Sequence, residues 1–266
     1  MVKASVKSPV RYYGGKSFML DTIIDNFPDK KDFDVYIEAF GGGASVLFKK
    51  EPTKLEIYND LGKNVYSLFK VISDKDKFQQ LKERLDLVFY SADLRKEYKE
   101  LLKDPNISLE DRAYYFFFVN RCSFNGVGGF SKILLVRRNT SKSVSDFLSA
   151  IDRLPEIHAR LSHVIVEHQN AIDLIEKYNK ENNFLYLDPP YVKSTRRSDQ
   201  TYEVEMEDSE HELLIDKVLE SKAKILISGY NCPIYDRLNT NEKWTRLDFK
   251  SPNSGYEATE SLWRNY

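Results

Sequence analysis

The chain lacks the marks of several protein classes. It has no apolar stretch of membrane-spanning length. Its opening, Met1-Val2-Lys3-Ala4-Ser5-Val6-Lys7, has no apolar core of the kind a secretion signal needs. Cysteine is scarce: Cys122 and Cys232 are the two present, and they form no C-x-x-C pair. This argues against a zinc site or a disulfide framework and leaves two reduced thiols. A strong excess of either charge is also missing. The formal net charge is −1, so the protein as a whole does not advertise a polyanionic partner. What is plentiful is core-forming: 41% of the 266 residues are hydrophobic and 13% aromatic, enough for one compact domain or a core domain with a smaller insertion. The expectation is a soluble cytoplasmic protein with no membrane partner and no metal.

One local absence is informative. No Asp or Glu occurs between Asp111 and Asp146, a window that carries Arg112, Arg121, Lys132, Arg137, Arg138 and Lys142. A second acid-free run, between Asp188 and Asp199, holds Lys193, Arg196 and Arg197. A phosphate backbone feels local basic surface more than net charge. Solvated charged faces give the same pattern, so the windows alone do not decide.

Along the chain, short apolar runs alternate with helical patterns. Val35–Phe40 reads as a buried strand closed by Gly41-Gly42-Gly43, and Leu55–Tyr58 as a second. Val65, Leu68, Phe69 and Ile72 share one helix face. Further strands are expected at Val164–Val166, Phe184–Leu187 and Ile225–Ser228. Ser209 with Glu212 has the spacing of a capping box, opening a helix with Leu213, Leu214, Val218 and Leu219. This alternation predicts an α/β fold with a largely parallel sheet. Roughly Lys75 to Leu154 shows helical patterns and a turn-rich stretch without a convincing parallel strand. The expected division is a catalytic domain in two parts, 1–72 and 158–266, around a helical insertion at 73–157.

Four constellations carry chemistry. Asp188-Pro189-Pro190-Tyr191 follows an apolar strand directly. Ligands of open α/β sheets bind beyond the carboxyl ends of the strands. Proline fixes φ and removes a donor, so neighbouring carbonyls are held as acceptors. The Asp188 carboxylate and a backbone carbonyl can hold the two hydrogens of an exocyclic amine, and Tyr191 offers a face for a base. The same tetrapeptide also fits a rigid strand-to-loop turn. Gly41-Gly42-Gly43 permits close backbone approach by a ligand, and Asp60 can accept both ribose hydroxyl hydrogens. That pairing fits an adenosyl cofactor without separating S-adenosylmethionine from a dinucleotide. Tyr12-Tyr13-Gly14-Gly15-Lys16 lacks phosphate-loop spacing; its ring and ammonium can hold a methionine moiety, and a surface turn is the plainer alternative. Asn120-Arg121-Cys122-Ser123-Phe124-Asn125-Gly126 offers Asn and Arg for base edges and phosphates and Phe124 for stacking, or else a helix end with an ordinary Asn-Gly stop.

These blocks, in this order, resemble the Dam-type family of DNA adenine methyltransferases. The likeness rests on residues 12–16, Ile37-Glu38-Ala39-Phe40-Gly41-Gly42-Gly43, Asn59-Asp60-Leu61, Asn120–Gly126, Asp188–Tyr191 and the closing Glu260–Tyr266. It covers nearly the whole chain. It implies a Rossmann-like methyltransferase sheet, mixed and with helices on both faces, plus a smaller helical target-recognition insertion. It implies that Tyr12, Lys16, Asp60 and Asp188 contact S-adenosylmethionine and that Phe40 lines its pocket. Asp188, Pro189 and Tyr191 would receive a flipped adenine, while Arg121 and Asn125 would touch DNA. Tyr12 departs from the Trp of many relatives, and the insertion after Gly126 is short, so sequence preference does not transfer.

The expected catalytic set is thus Asp188, Pro189, Pro190 and Tyr191. The expected cofactor set is Tyr12, Lys16, Phe40, Gly41, Gly43, Asp60 and Asp188. The expected DNA-binding set is Asn120, Arg121, Asn125, Lys132, Arg137 and Arg138. The activity expected is transfer of a methyl group from S-adenosylmethionine to the 6-amino group of adenine in double-stranded DNA. Open alternatives are a methyltransferase for the cytosine exocyclic amine, a nicotinamide-dependent oxidoreductase and an inactive DNA-binding regulator. Neither cysteine follows a proline, which counts against cytosine ring-carbon chemistry. A cognate restriction endonuclease is the expected companion, with the enzyme a monomer or weak dimer.

Overall fold

A computed structural model describes residues 5–12, 16, 19–137, 139–195, 202–250 and 259–266. Its strands are β1 (Val35–Glu38), β2 (Leu55–Asn59), β3 (Val136–Arg137), β4 (Thr140–Ser141), β5 (Ile165–Glu167), β6 (Asn183–Leu187), β7 (Lys224–Tyr230), β8 (Thr245–Lys250) and β9 (Thr259–Arg264). Among the described residues seven of them form one sheet in the order β5-β2-β1-β6-β7-β9-β8. The first five are parallel; β9 runs antiparallel to both β7 and β8. The mixed α/β sheet is therefore as expected.

The sheet is buried on both faces because its strands alternate between two apolar layers. Tyr36, Tyr58, Phe184 and Tyr186 enter one layer; Ile37, Ile57, Leu185 and Leu187 enter the other. The helices are α1 (Leu20–Asp25), α2 (Ser45–Lys49), α3 (Lys63–Ser73), α4 (Lys75–Leu87), α5 (Ala92–Leu101), α6 (Leu109–Cys122), α7 (Lys142–Asp152), α8 (Leu154–Leu161), α9 (Ala171–Lys177), α10 (Asp208–Leu219) and the short α11 (Asp236–Asn239), among the described residues. The second layer is completed by α9 and α10, through Leu174, Ile175, Leu214 and Ile215. The first is completed by α3, with Val65, Leu68, Phe69 and Ile72 buried on the expected face. Beneath it, Lys50, Glu56 and Arg160 form a buried ionic triad.

The interval 73–157 is filled by helices from α4 into α8, which crosses the expected boundary at 157. Its apolar residues, including Phe117, Phe118 and Phe147, belong to the same core cluster as the sheet face. The described strand pair in it is the antiparallel hairpin β3–β4. One local expectation is corrected: the capping box of α10 is Glu207 with Glu210, two residues before Ser209 and Glu212. A carboxylate serves the N3 amide as a hydroxyl would, and Glu210 returns the bond to the Glu207 N–H at 2.8 Å.

β1 and β6 are neighbours, and the chain leaves β1 toward β2 but leaves β6 toward β7, in opposite directions across the sheet. In open α/β sheets this switch point is where a crevice forms.

Candidate active site and its family

The crevice is there. A cleft with about 120 Å³ of room lies beyond the ends of β1, β2 and β6. Tyr12, Lys16, Phe40, Gly41, Gly43, Asp60, Asp188, Pro189 and Pro190 all line it. The glycine turn packs tightly. The Gly41 N–H donates to the Asn59 carbonyl at 2.8 Å, and a Cβ on Gly41 would fall 2.2 Å from the Tyr58 ring. Asp60 joins this turn to the next, accepting the Gly42 N–H on Oδ2 and the Gly62 N–H on Oδ1, each at 2.7 Å. Burial raises the Asp60 pKa against those two bonds.

At the other end, Lys16 is buried and donates from Nζ to Asp188 Oδ1 at 2.7 Å and to the Tyr191 hydroxyl at 2.9 Å. Burial opposes its charge, but Asp188 and Glu260 outweigh this and hold its pKa above the usual lysine value. Ser228 Oγ also donates to Asp188 Oδ1, at 2.9 Å. Asp188 Oδ1 is thus committed twice over. Tyr191 lines a small adjoining recess that shares Pro189 and Pro190 with the cleft.

Several residues of the site were not singled out from the sequence. Glu38 ends β1, is 2% exposed and lines the cleft. Its Oε1 accepts from the Tyr36 hydroxyl and the Leu47 N–H, while Oε2 is buried without a hydrogen-bond partner among the described residues. Burial pushes its carboxyl up to about 8. An acid closing an otherwise apolar strand was the available signal. Asn170, Ala171 and Ile172 line the cleft at the start of α9, and Tyr202, Val204 and Met206 cover it before α10. Ser228 and Glu260 lie on strands otherwise read as core.

The expected DNA residues divide. Asn120 is buried, and its amide clamps the N-terminal segment: Oδ1 accepts from the Arg11 N–H at 2.9 Å and Nδ2 donates to the Arg11 carbonyl at 2.7 Å. Arg121 is also buried, donating to the Asp146 carbonyl at 3.2 Å, and burial lowers its pKa to about 10. Both stand behind the surface, so direct base contact does not fit their placement. Asn125, Lys132 and Arg137 are exposed. Asp146, which ends the acid-free window, gathers Lys142, Arg137 and Arg11 at 2.6, 3.6 and 3.7 Å. Tyr13, Gly14, Gly15, Arg138, Arg196 and Arg197 lie outside the described residues.

Residues 12–250 match the profile of the D12 class N6 adenine-specific DNA methyltransferases. The chain belongs to that family. Similar proteins include the modification methylase StsI of Streptococcus sanguinis, 28% identical over 210 residues. That match takes in 73% of this chain and 30% of the relative. The Type II methyltransferase M.MjaIII of Methanocaldococcus jannaschii is 26% identical over 254 residues, 88% of both chains. M.CviBI, from Paramecium bursaria Chlorella virus NC1A, is 25% identical over 193 residues, 70% of this chain and 69% of its own. The chain thus spans under a third of StsI and most of M.MjaIII. Family membership sets the activity class as methylation of adenine N6 in DNA, with S-adenosylmethionine as the implied donor, and sets aside the cytosine and oxidoreductase alternatives. Among the described residues, no helix of this D12 methyltransferase is long and apolar enough to cross a membrane.

Proposed function

We propose that the cleft holds S-adenosylmethionine and that Asp188 orients the amine of an adenine flipped out of duplex DNA. The observation that carries this is the charge of the lining. Asp60, Asp188, Glu205 and Glu210 line the cleft against the ammonium of Lys16, among the described residues, and Glu38 adds a carboxyl that a bound cation would ionise. Such a lining suits a ligand with an ammonium and a sulfonium and repels the pyrophosphate of a dinucleotide. When bound, S-adenosylmethionine supplies an electrophilic methyl group on a positively charged sulfur.

The residues fit that ligand end to end. Glu38 Oε2, a buried acceptor without a donor, takes the methionine ammonium. Asp60 uses one lone pair per oxygen on backbone amides and keeps the others for ribose hydroxyls. Asn170, Ala171 and Ile172 border the adenine end, with Tyr12 and Phe40 supplying aromatic walls. Lys16 and Ser228 fix Asp188 Oδ1, so Oδ2, which has no hydrogen bond among the described residues, is left for the target amine. Asp188 Oδ2 and a backbone carbonyl of the proline turn would hold the two amine hydrogens, leaving the nitrogen lone pair free to accept a methyl group. On transfer the methyl's bond to sulfur would break as its bond to nitrogen forms, the neutral thioether would leave, and Asp188 Oδ2 would accept the proton that the nitrogen sheds. Acceleration comes from positioning and preorganised acceptors, with no covalent enzyme–base step. Flipping itself costs a few kcal/mol.

The 73–157 insertion reads the target, with Asn125, Lys132 and Arg137 toward the duplex and Asn120 and Arg121 supporting them from behind. The Type II names of M.MjaIII and M.CviBI support a cognate restriction endonuclease as companion. A monomer or weak dimer acting in the cytoplasm completes the proposal. The test is Asp188→Ala, assayed for transfer of radiolabelled methyl groups to unmethylated DNA with methylation-aware sequencing of the product. Transfer is expected to fall below detection while S-adenosylmethionine still binds. Activity near wild type would refute the assignment.

A further inference from the structure

Tyr191 and Tyr230 stand at the carboxyl ends of the neighbouring strands β6 and β7. Their ring centroids are 4.5 Å apart and their planes are inclined by 32°. A base inserted between two rings needs two van der Waals separations, about 7 Å. The recess they line with Pro189, Pro190 and Gly229 leaves about 10 Å³, close to the ~10–15 Å³ that one water needs. In this state the place beside the proline turn, where a target base must come, is shut.

Glu260 explains how the pair is held. It lies opposite Tyr230 in the β7–β9 register and is 2% exposed. Its Oε1 accepts from the Tyr191 hydroxyl at 2.7 Å. Its Oε2 is buried with no hydrogen-bond partner among the described residues. Burial first and then the nearby Glu260 charge raise the Tyr230 pKa, so the same carboxylate faces the second hydroxyl. One carboxylate therefore grips the Tyr191 hydroxyl, keeps its second oxygen without a partner among the described residues, and acts on the Tyr230 hydroxyl as well.

Resting on the reading of Asp188 as the acceptor for the target amine, we propose that Tyr191 and Tyr230 are the two walls of the target-adenine site, closed on each other without DNA, with Glu260 as the positioning residue that holds Tyr191 while Tyr230 moves aside. Closure spares two aromatic faces from water. Entry of a purine exchanges one ring–ring stack for two ring–base stacks, so the base itself supplies the incentive to open. A pyrimidine overlaps each ring less and gains less from opening.

The test uses the full chain, S-adenosylmethionine, unmethylated DNA, and a duplex with 2-aminopurine at the adenine mapped by sequencing. Tyr230→Ala is expected to lower kcat/KM for DNA by about 5- to 150-fold, the loss of one base–aromatic stack. The S-adenosylmethionine Kd stays within about twofold of wild type, since Tyr230 does not line that cleft. Bound 2-aminopurine becomes brighter than with wild type, because its quenching partner is gone. Tyr230→Phe recovers most of the loss, and Glu260→Gln, which still accepts from Tyr191, retains more activity than Glu260→Leu. If Tyr230→Ala loses S-adenosylmethionine binding through misfolding, Tyr230→Leu takes its place with the same expectation. Wild-type kcat/KM together with wild-type emission in the ring-less variant would overturn the clamp. A wild-type protein that binds the donor yet methylates no adenine would overturn the functional reading instead.

Discussion

In the proposed site, cofactor affinity and stability pull in opposite directions at Glu38. Burial holds its carboxyl at about 8, whereas an unfolded chain would release the proton near 4.5. Between those values the folded state binds more protons, so the stability this group contributes is present at the acid end and falls as pH rises through 8. A bound ammonium favours the ionised form, and binding therefore releases a proton. Calorimetry in buffers of differing ionisation enthalpy should show affinity for S-adenosylmethionine rising from about pH 6 to about pH 7.5, with Glu38→Gln flattening the trend. The same substitution is expected to raise the melting temperature of the ligand-free protein at about pH 8; a lower one would mean that the resting carboxyl is already ionised. Residues such as Asp188, Asp60 and Lys16 were legible in the sequence because they sit beside turns or strand ends. Their partners were not. Lys16 meets Asp188 across 172 positions, and no periodicity encodes such a contact.

Elements were readable where a period persisted. The helix face from Val65 to Ile72 and the apolar strands of the sheet fall where their patterns put them. The β3–β4 hairpin has two residues per strand, too few for alternation to show. Asn120 and Arg121 illustrate a different blindness. Polar residues on a helix read as available, yet α6 is covered on several sides, and these two became internal fasteners. Asn120→Ala would leave the partly buried Arg11 N–H and C=O without the amide, at up to about 1–3 kcal/mol for each group that water cannot reach. A fall of several degrees in melting temperature is expected by calorimetry, with weaker retention of DNA in a gel-shift assay. Unchanged stability would show that the segment at Arg11 is held by other means. The turn it packs on tolerates little change: Gly126 has φ +84°, and a Cβ there would lie 2.2 Å from the Arg11 carbonyl oxygen.

For the whole molecule, a net charge of −1 conceals a polarised surface. Exposed Lys132 and Arg137, with Arg11 and Lys142 gathered about Asp146, make the insertion locally basic. Replacing Lys132 and Arg137 together by Ala should reduce the salt slope of DNA binding by about two, measured by fluorescence anisotropy between about 50 and 200 mM salt. An unaltered slope would move the duplex to another face. The strand order carries a consequence of its own. Lys16 and Asp188 are 172 positions apart, and Tyr191 and Glu260 are separated by 69 more. A chain still emerging from the ribosome can own its glycine turn and the acid of β2 and yet hold no acceptor for an amine. On the proposed assignment a half-synthesised copy lacks the amine acceptor, and the site is completed when the late strands pair.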